Sequence, residues 1–368
     1  MTAIASGFSL PATAGFGARG SVIASAGQVR DRLDQLTRQA ASGRVADTYG
    51  GLGAGAATSL SLRPAIARIA TWQANIDAVQ GRMAVTQSSL EQISAIAADF
   101  RARTADLNGL SAAMIDSVAA GARDALRSVA GLLNARHGDQ YVFAGQDSAN
   151  PPVPEAESIL SSGFFGEISA AVAGLGNNGA AATIAATLAT AGSNAAGVSP
   201  FSASLSQPAG ALDALKASVP VGERRRVQVG VLASANADAT SRGGSTTGSY
   251  IRDIMRGLAT LGSLSSAQMN DAGFAAVAGD VRTGLEGAIT ALNVDAGVLG
   301  NRQAAIVEAR ARLGETATAL QGQVANVEDV DMAEVLSRLS LTQTQLQASY
   351  QLLAGLQSLS LTKFLPVG

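Results

Sequence analysis

The chain of 368 residues contains no cysteine. That absence excludes disulfides, thiolate metal sites and cysteine nucleophiles, and it leaves the redox compartment open. Histidine occurs once, at His137, so a metal site or a Ser-His-Asp triad has little to work with. Beside Gly138 it is expected to be a surface or helix-cap residue. Lysine is confined to Lys216 and Lys363, with arginine supplying the rest of the positive charge, and no function follows from that bias. Aromatic residues make up only 4%, charged residues 15%, and the formal net charge is -2. Such a chain has no electrostatic footprint for nucleic acid or an anionic membrane. No stretch reaches the roughly 18 consecutive apolar residues of a membrane span; the Ala/Gly run from Ala170 to Ala191 is broken by Asn177 and Asn178. Residues 1–20 show neither a basic leading region nor a compact apolar segment before a cleavage site, so export, if it occurs, is expected without a cleavable signal peptide and without membrane insertion.

What the chain does have is 47% hydrophobic residues, drawn largely from alanine and leucine. Ala-rich and Leu-rich segments suit close helix packing, and the length predicts two or three domains. The first periodic signal is Val22, Ala26, Val29, Leu33, Leu36, Ala40, where steps of four and three alternate as in a heptad seam. It stops at Ser42-Gly43, and a glycine-rich loop follows. From Pro64, read as a first-turn residue, a second seam runs through Ile69, Trp72, Ile76, Val79, Met83, Thr86, Leu90, Ile93, Ala97, Phe100, Thr104 and Leu107. Its unbroken length predicts a rod-like helix of roughly 60 Å. A third helix carries Ile115, Val118, Ala122, Ala125, Val129 and Leu132 and is expected to end near His137-Gly138.

The character changes at Tyr141, where YVFAGQDSANPPVP combines a short apolar run with turn residues and prolines. The clearest strand signal beyond it is Arg226 to Val231, with alternating valines. Helical order returns at Tyr250-Ile251. After Asn270-Asp271 a long seam shows Leu292, Ala296, Leu299, Gln303, Ile306, Arg310, Leu313, Ala317, Leu320 and Val324, and a last seam runs Met332, Val335, Leu339, Thr342, Leu346, Ser349, Leu353, Leu356. The expected fold is therefore mainly α, a long antiparallel helical bundle or coiled coil formed by the two ends, with a small mixed α/β or β-rich middle domain. Its expected divisions are 1–45 and 327–368 as the two parts of a terminal-helix domain, 46–140 and 251–326 as the two parts of a helical rod, and 141–250 as an outer domain.

The terminal seams are weak, because Ala26, Ala40, Thr342 and Ser349 occupy core positions. A lone pair of such helices buries little against the entropy of ordering them, so neighbouring copies are the natural source of the missing burial. The ends are expected to be disordered in the monomer and helical in the assembly, with Val22, Val29, Leu33, Leu36, Met332, Val335, Leu339, Leu346, Tyr350, Leu353 and Leu356 at the assembly interface.

Catalytic signals are poor, and no catalytic, cofactor-binding or metal residues are assigned. The GLGAG loop at 51–55 has no preceding strand and no following Lys-Ser/Thr, so it is read as a flexible hinge rather than a phosphate loop. Glu328, Asp329, Asp331 and Glu334 are read as acids at the start of the last helix, where the helix dipole favours negative charge. Arg224-Arg225-Arg226 is read as a solvated turn, with an acidic partner surface as the alternative.

Two segments carry a resemblance. Ala41-Ser42-Gly43-Arg44-Val45 is similar to the turn that follows the first helix of the flagellin superfamily, and Val327-Glu328-Asp329-Val330-Asp331-Met332-Ala333-Glu334 resembles that family's acidic lead into its C-terminal helix. Within the superfamily, Tyr141 to Gly145 followed by Pro151-Pro152, and Gln347-Ala348-Ser349-Tyr350-Gln351 with the ending Leu359 to Leu365, look most like the branch of hook–filament junction proteins, hook-associated protein type 3. The resemblance implies terminal helices in an inner tube, a surrounding rod and an outward middle domain. It also implies an extracellular flagellar location reached by type III export. Its implied partners are further copies of the chain, the preceding hook-associated protein, flagellin and a cytoplasmic export chaperone. One departure is that weakly patterned residues 1–20 precede the first seam. Filament flagellin, and a helical enzyme or sensor domain with an unrecognised site, are the alternatives.

Overall fold

The computed structural model describes residues 14–105, 107–109, 111–235 and 240–358. In chain order the helices are α1 (Ala14–Ser42), α2 (Gly55–Ala105), α3 (Ala112–Leu133), α4 (Gly163–Ala173), α5 (Leu175–Gly192), α6 (Ala209–Leu215), α7 (Tyr250–Ser263), α8 (Phe274–Glu328) and α9 (Met332–Ser358). The strands are β1 (Arg136–His137), β2 (Gln140–Tyr141), β3 (Ala217–Pro220) and β4 (Arg226–Val229), paired as two separate antiparallel hairpins. The fold is mainly α, and of the two alternatives for the middle stretch the mixed one is found. The chain divides into two compact units, residues 1–68 with 315–368, and residues 69–314.

In the first unit α1 packs along α9. Ala26 and Leu36 of α1 and Val335 and Thr342 of α9 are buried. The polar residues that weaken the last seam are satisfied by their own helix: Thr342 Oγ1 donates to the Arg338 carbonyl at 2.7 Å and Ser349 Oγ to that of Gln345 at 2.9 Å. Back-bonding of this kind lets a hydroxyl occupy a seam position without leaving an unpaired donor. Helix α2 begins at Gly55, before the expected start, and Pro64 lies inside it. A proline there removes one N–H from the ladder yet leaves the neighbouring turns bonded. The glycine loop expected as a hinge holds a 3-10 turn, Tyr49–Leu52.

The second unit holds the large core. The second seam is buried at every position from Ile76 to Leu107, Thr86 and Thr104 included, with Leu107 in a 3-10 turn just past the end of α2. It packs with Leu126, Val129 and Leu133 of α3, Ile254 and Leu258 of α7, and Leu285, Leu292, Leu299 and Ile306 of α8 in one cluster. Arg310, which interrupts the α8 seam, is exposed at its edge and pairs with Asp77 of α2 at 2.5 Å. Helix α3 stops at Leu133 rather than near His137, because Asn134 turns outward to bond the exit chain: its Nδ2 donates to the Val153 carbonyl at 2.8 Å and its Oδ1 accepts from Val153 N at 2.9 Å. His137 sits in the β1–β2 hairpin, so close over Gly81 that a Cβ there would lie 2.3 Å from its Nε2.

The expected strand at Arg226 ends at Val229, with Val219 opposite Val227 in the hairpin. The Tyr141–Gly145 segment is pinned from below by Arg82, whose Nη2 donates to the carbonyls of Tyr141 at 3.3 Å and Gly145 at 3.2 Å. Burial lowers the pKa of Arg82. Helix α7 is buried from Tyr250 to Gly262 on all sides, between α3, α4 and α5. Its Arg252 donates to the carbonyls of Ser234, Ala191 and Ser193 and to Asn194 Oδ1, at 2.7 to 3.2 Å, with its guanidinium 5.0 Å over the Phe201 ring. Burial brings its pKa down to about 10. Tyr250 donates to the buried Asp295 of α8 at 2.9 Å.

Candidate functional site

The two short segments singled out at the ends of the chain meet in the first unit. Helix α1 ends because Gly43 takes φ +69°, a left-handed conformation that costs a glycine little, while its N–H still bonds the Gln39 carbonyl at 2.8 Å. The chain then runs antiparallel to the link between α8 and α9. Val45 N donates to the Glu328 carbonyl at 2.7 Å, Val330 N donates to the Gly43 carbonyl at 3.0 Å, and Arg44 stands opposite Asp329. The Gln39 side chain closes the corner by donating to the Val45 carbonyl at 2.8 Å.

Glu328 has a different place from the one expected. It ends α8 rather than opening α9, and it is 7% exposed. Its carboxylate accepts from Arg63 Nε at 2.8 Å, from Arg63 Nη2 and from Ser59 Oγ, all on α2. The Arg63 hydrogen bond, with help from Ser59, holds the Glu328 pKa down at about 2. Arg63 is raised in return by the same contact. The dipole role falls to Asp331, which caps α9 by accepting from Ala333 N at 2.9 Å and Glu334 N at 3.2 Å. Close packing completes the corner: a Cβ on Gly55 would lie 2.1 Å from Val327 Cγ1, and one on Gly51 2.5 Å from Ala46 Cβ. Arg63 and Ser59 were missed from the sequence, and Gly55, read as part of a flexible hinge, instead opens α2; Ser59 and Arg63, four apart on one helix face, were the available signal.

The expected interface residues divide by exposure. Leu36 and Val335 are buried at 6% each, and Val29, Leu33, Leu339, Leu346 and Leu353 are half-buried. Met332 and Tyr350 are exposed, at 40% and 52%. The side chains of Val22 and Leu356 lie outside the described residues, as do residues 1–13 and the ending Leu359 to Leu365. At about 100° per residue, Leu336 falls with Met332 and Tyr350 on one flank of α9, and Leu341 with Leu352 on the other, all exposed. Helix α9 is thus covered by α1 on one side and carries exposed large apolar side chains on both flanks of it. Exposed apolar side chains grouped on a helix flank are a common feature of surfaces that pack against a partner.

Among the described residues no group of three or more His, Asp or Glu side chains could hold a metal ion, and no helix is long and apolar enough to cross a membrane. Residues 21–148 match the family model of the bacterial flagellin N-terminal helical region, and residues 283–365 match that of the bacterial flagellin C-terminal helical region. Together the two spans take in more than half of the chain. Comparison with curated protein sequences finds no match.

Proposed function

The chain belongs to the flagellin superfamily, whose members are extracellular structural subunits of the flagellum, and from that premise we propose that it is the subunit that joins hook to filament. The observation that carries the choice of branch is the α9 sequence Gln347-Ala348-Ser349-Tyr350-Gln351, which reads like junction proteins where flagellins usually have Gln-Ala-Asn. In support, Tyr350 stands exposed on a flank of α9 that α1 leaves open. On this reading the terminal helices assemble with further copies, residues 141–250 form the outward domain, and the rod is formed by 46–140 and 251–326. The uncovered positions Met332 and Tyr350 make contacts between copies, while Val29, Leu33, Leu36, Val335, Leu339, Leu346 and Leu353 serve the pair itself. The preceding hook-associated protein and flagellin are its neighbours, and it reaches them by type III export with a cytoplasmic chaperone.

Deletion of the coding sequence tests this reading. The expected outcome is that hooks remain and flagellin is released into the medium. Loss of filament protein altogether would instead identify the chain as a filament flagellin. A tightly bound cofactor or turnover in the purified chain would overturn both.

A further inference from the structure

We propose that the arginine tip of the β3–β4 hairpin is a docking point between copies, with Arg224 and Arg225 of one copy meeting Glu155 and Glu157 of the next. The inference rests on the reading of the chain as a self-assembling subunit and names a contact made by its outer domain.

The sequence leaves Arg224-Arg225-Arg226 open between a solvated turn and a site for an acidic partner. In the structure this turn is firmly held. Val221 is buried at its base, and Val221 N donates to the Arg225 carbonyl at 2.9 Å. Across the hairpin Arg226 Nε donates to Ser218 Oγ at 3.2 Å and its Nη2 to the Ser218 carbonyl at 3.1 Å. Asn75 Nδ2 of α2 donates to the Pro220 carbonyl at 3.4 Å. Arg224 and Arg225 stand exposed at the tip and join no ion pair. Three arginines against Glu223 leave the tip at a net +2. Adjacent like charges repel, so the run gives the single chain no stability and is available to a partner.

Elsewhere in the second unit charges are largely matched within the chain. Asp77–Arg310, Asp99–Arg103, Asp124–Arg127, Asp280–Arg256 and Glu308–Arg312 all close. Among the described residues of that unit, the arginine tip is the one run of consecutive cations outside any ion pair. Glu155 with Glu157 is the one pair of acids within two residues of each other that is likewise unmatched. Both acids are exposed. Glu155 also lines a cavity of about 280 Å³ with Val153, Pro154, Ser162, Ser199 and Phe201 among others, and it is the one ionisable residue of that lining. Hydroxyls, a proline and an aromatic ring around one carboxylate suit a guanidinium, whose flat face packs on apolar surface while its donors reach the acid. Arg252, on the Phe201 ring, is buried, and its donors are taken up by three carbonyls and Asn194 Oδ1.

The segment carrying the acids is fixed through Val153 to Asn134 at the end of α3, whereas the tip extends from Pro220 beside α2. Tip and cavity are therefore separate patches of one unit. A contact between different patches is head-to-tail, so each copy gives one tip and receives another, and the contact repeats from copy to copy.

The test is made in the source bacterium on sheared flagellar material. Arg224→Glu with Arg225→Glu on one chain, and Glu155→Arg with Glu157→Arg on another, are each expected to lower incorporation about tenfold. All four reversals on one chain are expected to restore it to within about threefold of wild type. The four positions are exposed, and unchanged helicity of the purified variants separates an assembly defect from misfolding. A tip reversal that lowers incorporation without rescue by the acid reversal would mean that the tip meets a different protein, and would overturn the proposal. Reversals that incorporate like the wild type would overturn it too, leaving the assembly reading intact. Absence of the wild-type chain from the flagellar material would overturn that reading and the proposal with it. Because the chain has no cysteine, Glu155→Cys and Arg225→Cys supply a second measure. A short bis-maleimide is the linker, since the Cα atoms of an arginine–glutamate contact stand farther apart than the roughly 7 Å that a disulfide allows. A chain carrying both cysteines is expected to give a ladder of linked multimers in assembled material, and a chain carrying either one alone to stay unlinked. Absence of the ladder, or equal linking with one cysteine, counts against the proposal.

Discussion

Glu328 accepts a hydrogen bond at 2.8 Å from Arg63 Nε across 265 residues of sequence, joining the last residue of α8 to α2. Around this contact the two ends of the chain are tied by backbone hydrogen bonds from Val45 and Val330. The corner is held mainly by polar contacts and by glycines at close approaches.

The Glu328 contact gives a pH dependence. Its pKa is held at about 2 in the folded chain, against an ordinary value of 4.5. A group whose pKa is depressed on folding stabilises above its ordinary pKa, and that contribution is lost as pH falls through the folded value. The first unit is expected to lose stability between pH 4.5 and about 2. Glu328→Gln should melt at lower temperature than wild type at neutral pH, with the difference shrinking across that window. Circular dichroism melts at a series of pH values measure it, and a pH-independent difference would count against the contact.

The left-handed turn at Gly43 is expected to be selective for residue type. Gly43→Ala should destabilise by about 1 to 2 kcal/mol, and Gly43→Asn by less, because asparagine tolerates that conformation better. Urea unfolding of the purified variants gives the order directly.

In the second unit, Arg252→Met would leave the carbonyls of Ser234, Ala191 and Ser193 without their donor. Buried acceptors left unpaired make this a loss of on the order of 3 kcal/mol. Arg252→Lys should recover only part of it, because an ammonium lacks the planar fork and the stacking surface presented to Phe201. Chemical denaturation followed by Trp72 fluorescence and by helicity measures both.

These contacts mark what was legible beforehand. The α2 and α8 seams could be read because large apolar residues recur at helical spacing, and the helix boundary at Tyr250 could be read from the same change of period. Arg252 and Asp295 could not, since their partners lie 18 to 61 residues away along the chain and no local period announces them. Glu328 was read as a helix-opening acid because Asp329, Asp331 and Glu334 follow it closely; one turn of register separates that role from its actual one. The corner was legible as two separate segments, but their meeting depends on the return of α8. Weakness of the terminal seams was legible too, though in the single chain both ends are helical and packed along one side. Alanine, leucine, glutamine and arginine are good helix formers, so a helix forms there before its flanks are covered.

That difference has a measurable consequence. With α9 open on two flanks, amides of residues 22–40 and 332–358 in the free chain are expected to exchange fast relative to those of residues 76–100, whose seam is buried. Protection of the ends should rise on assembly. Slow exchange there in the monomer would mean that the pair is complete without neighbours.

The position of the chain in the flagellum tests the proposed role most directly. A label on the chain, imaged on isolated hook–filament structures, is predicted to appear only in the short zone between hook and filament. Label distributed along the filament, or absent from these structures altogether, would contradict it.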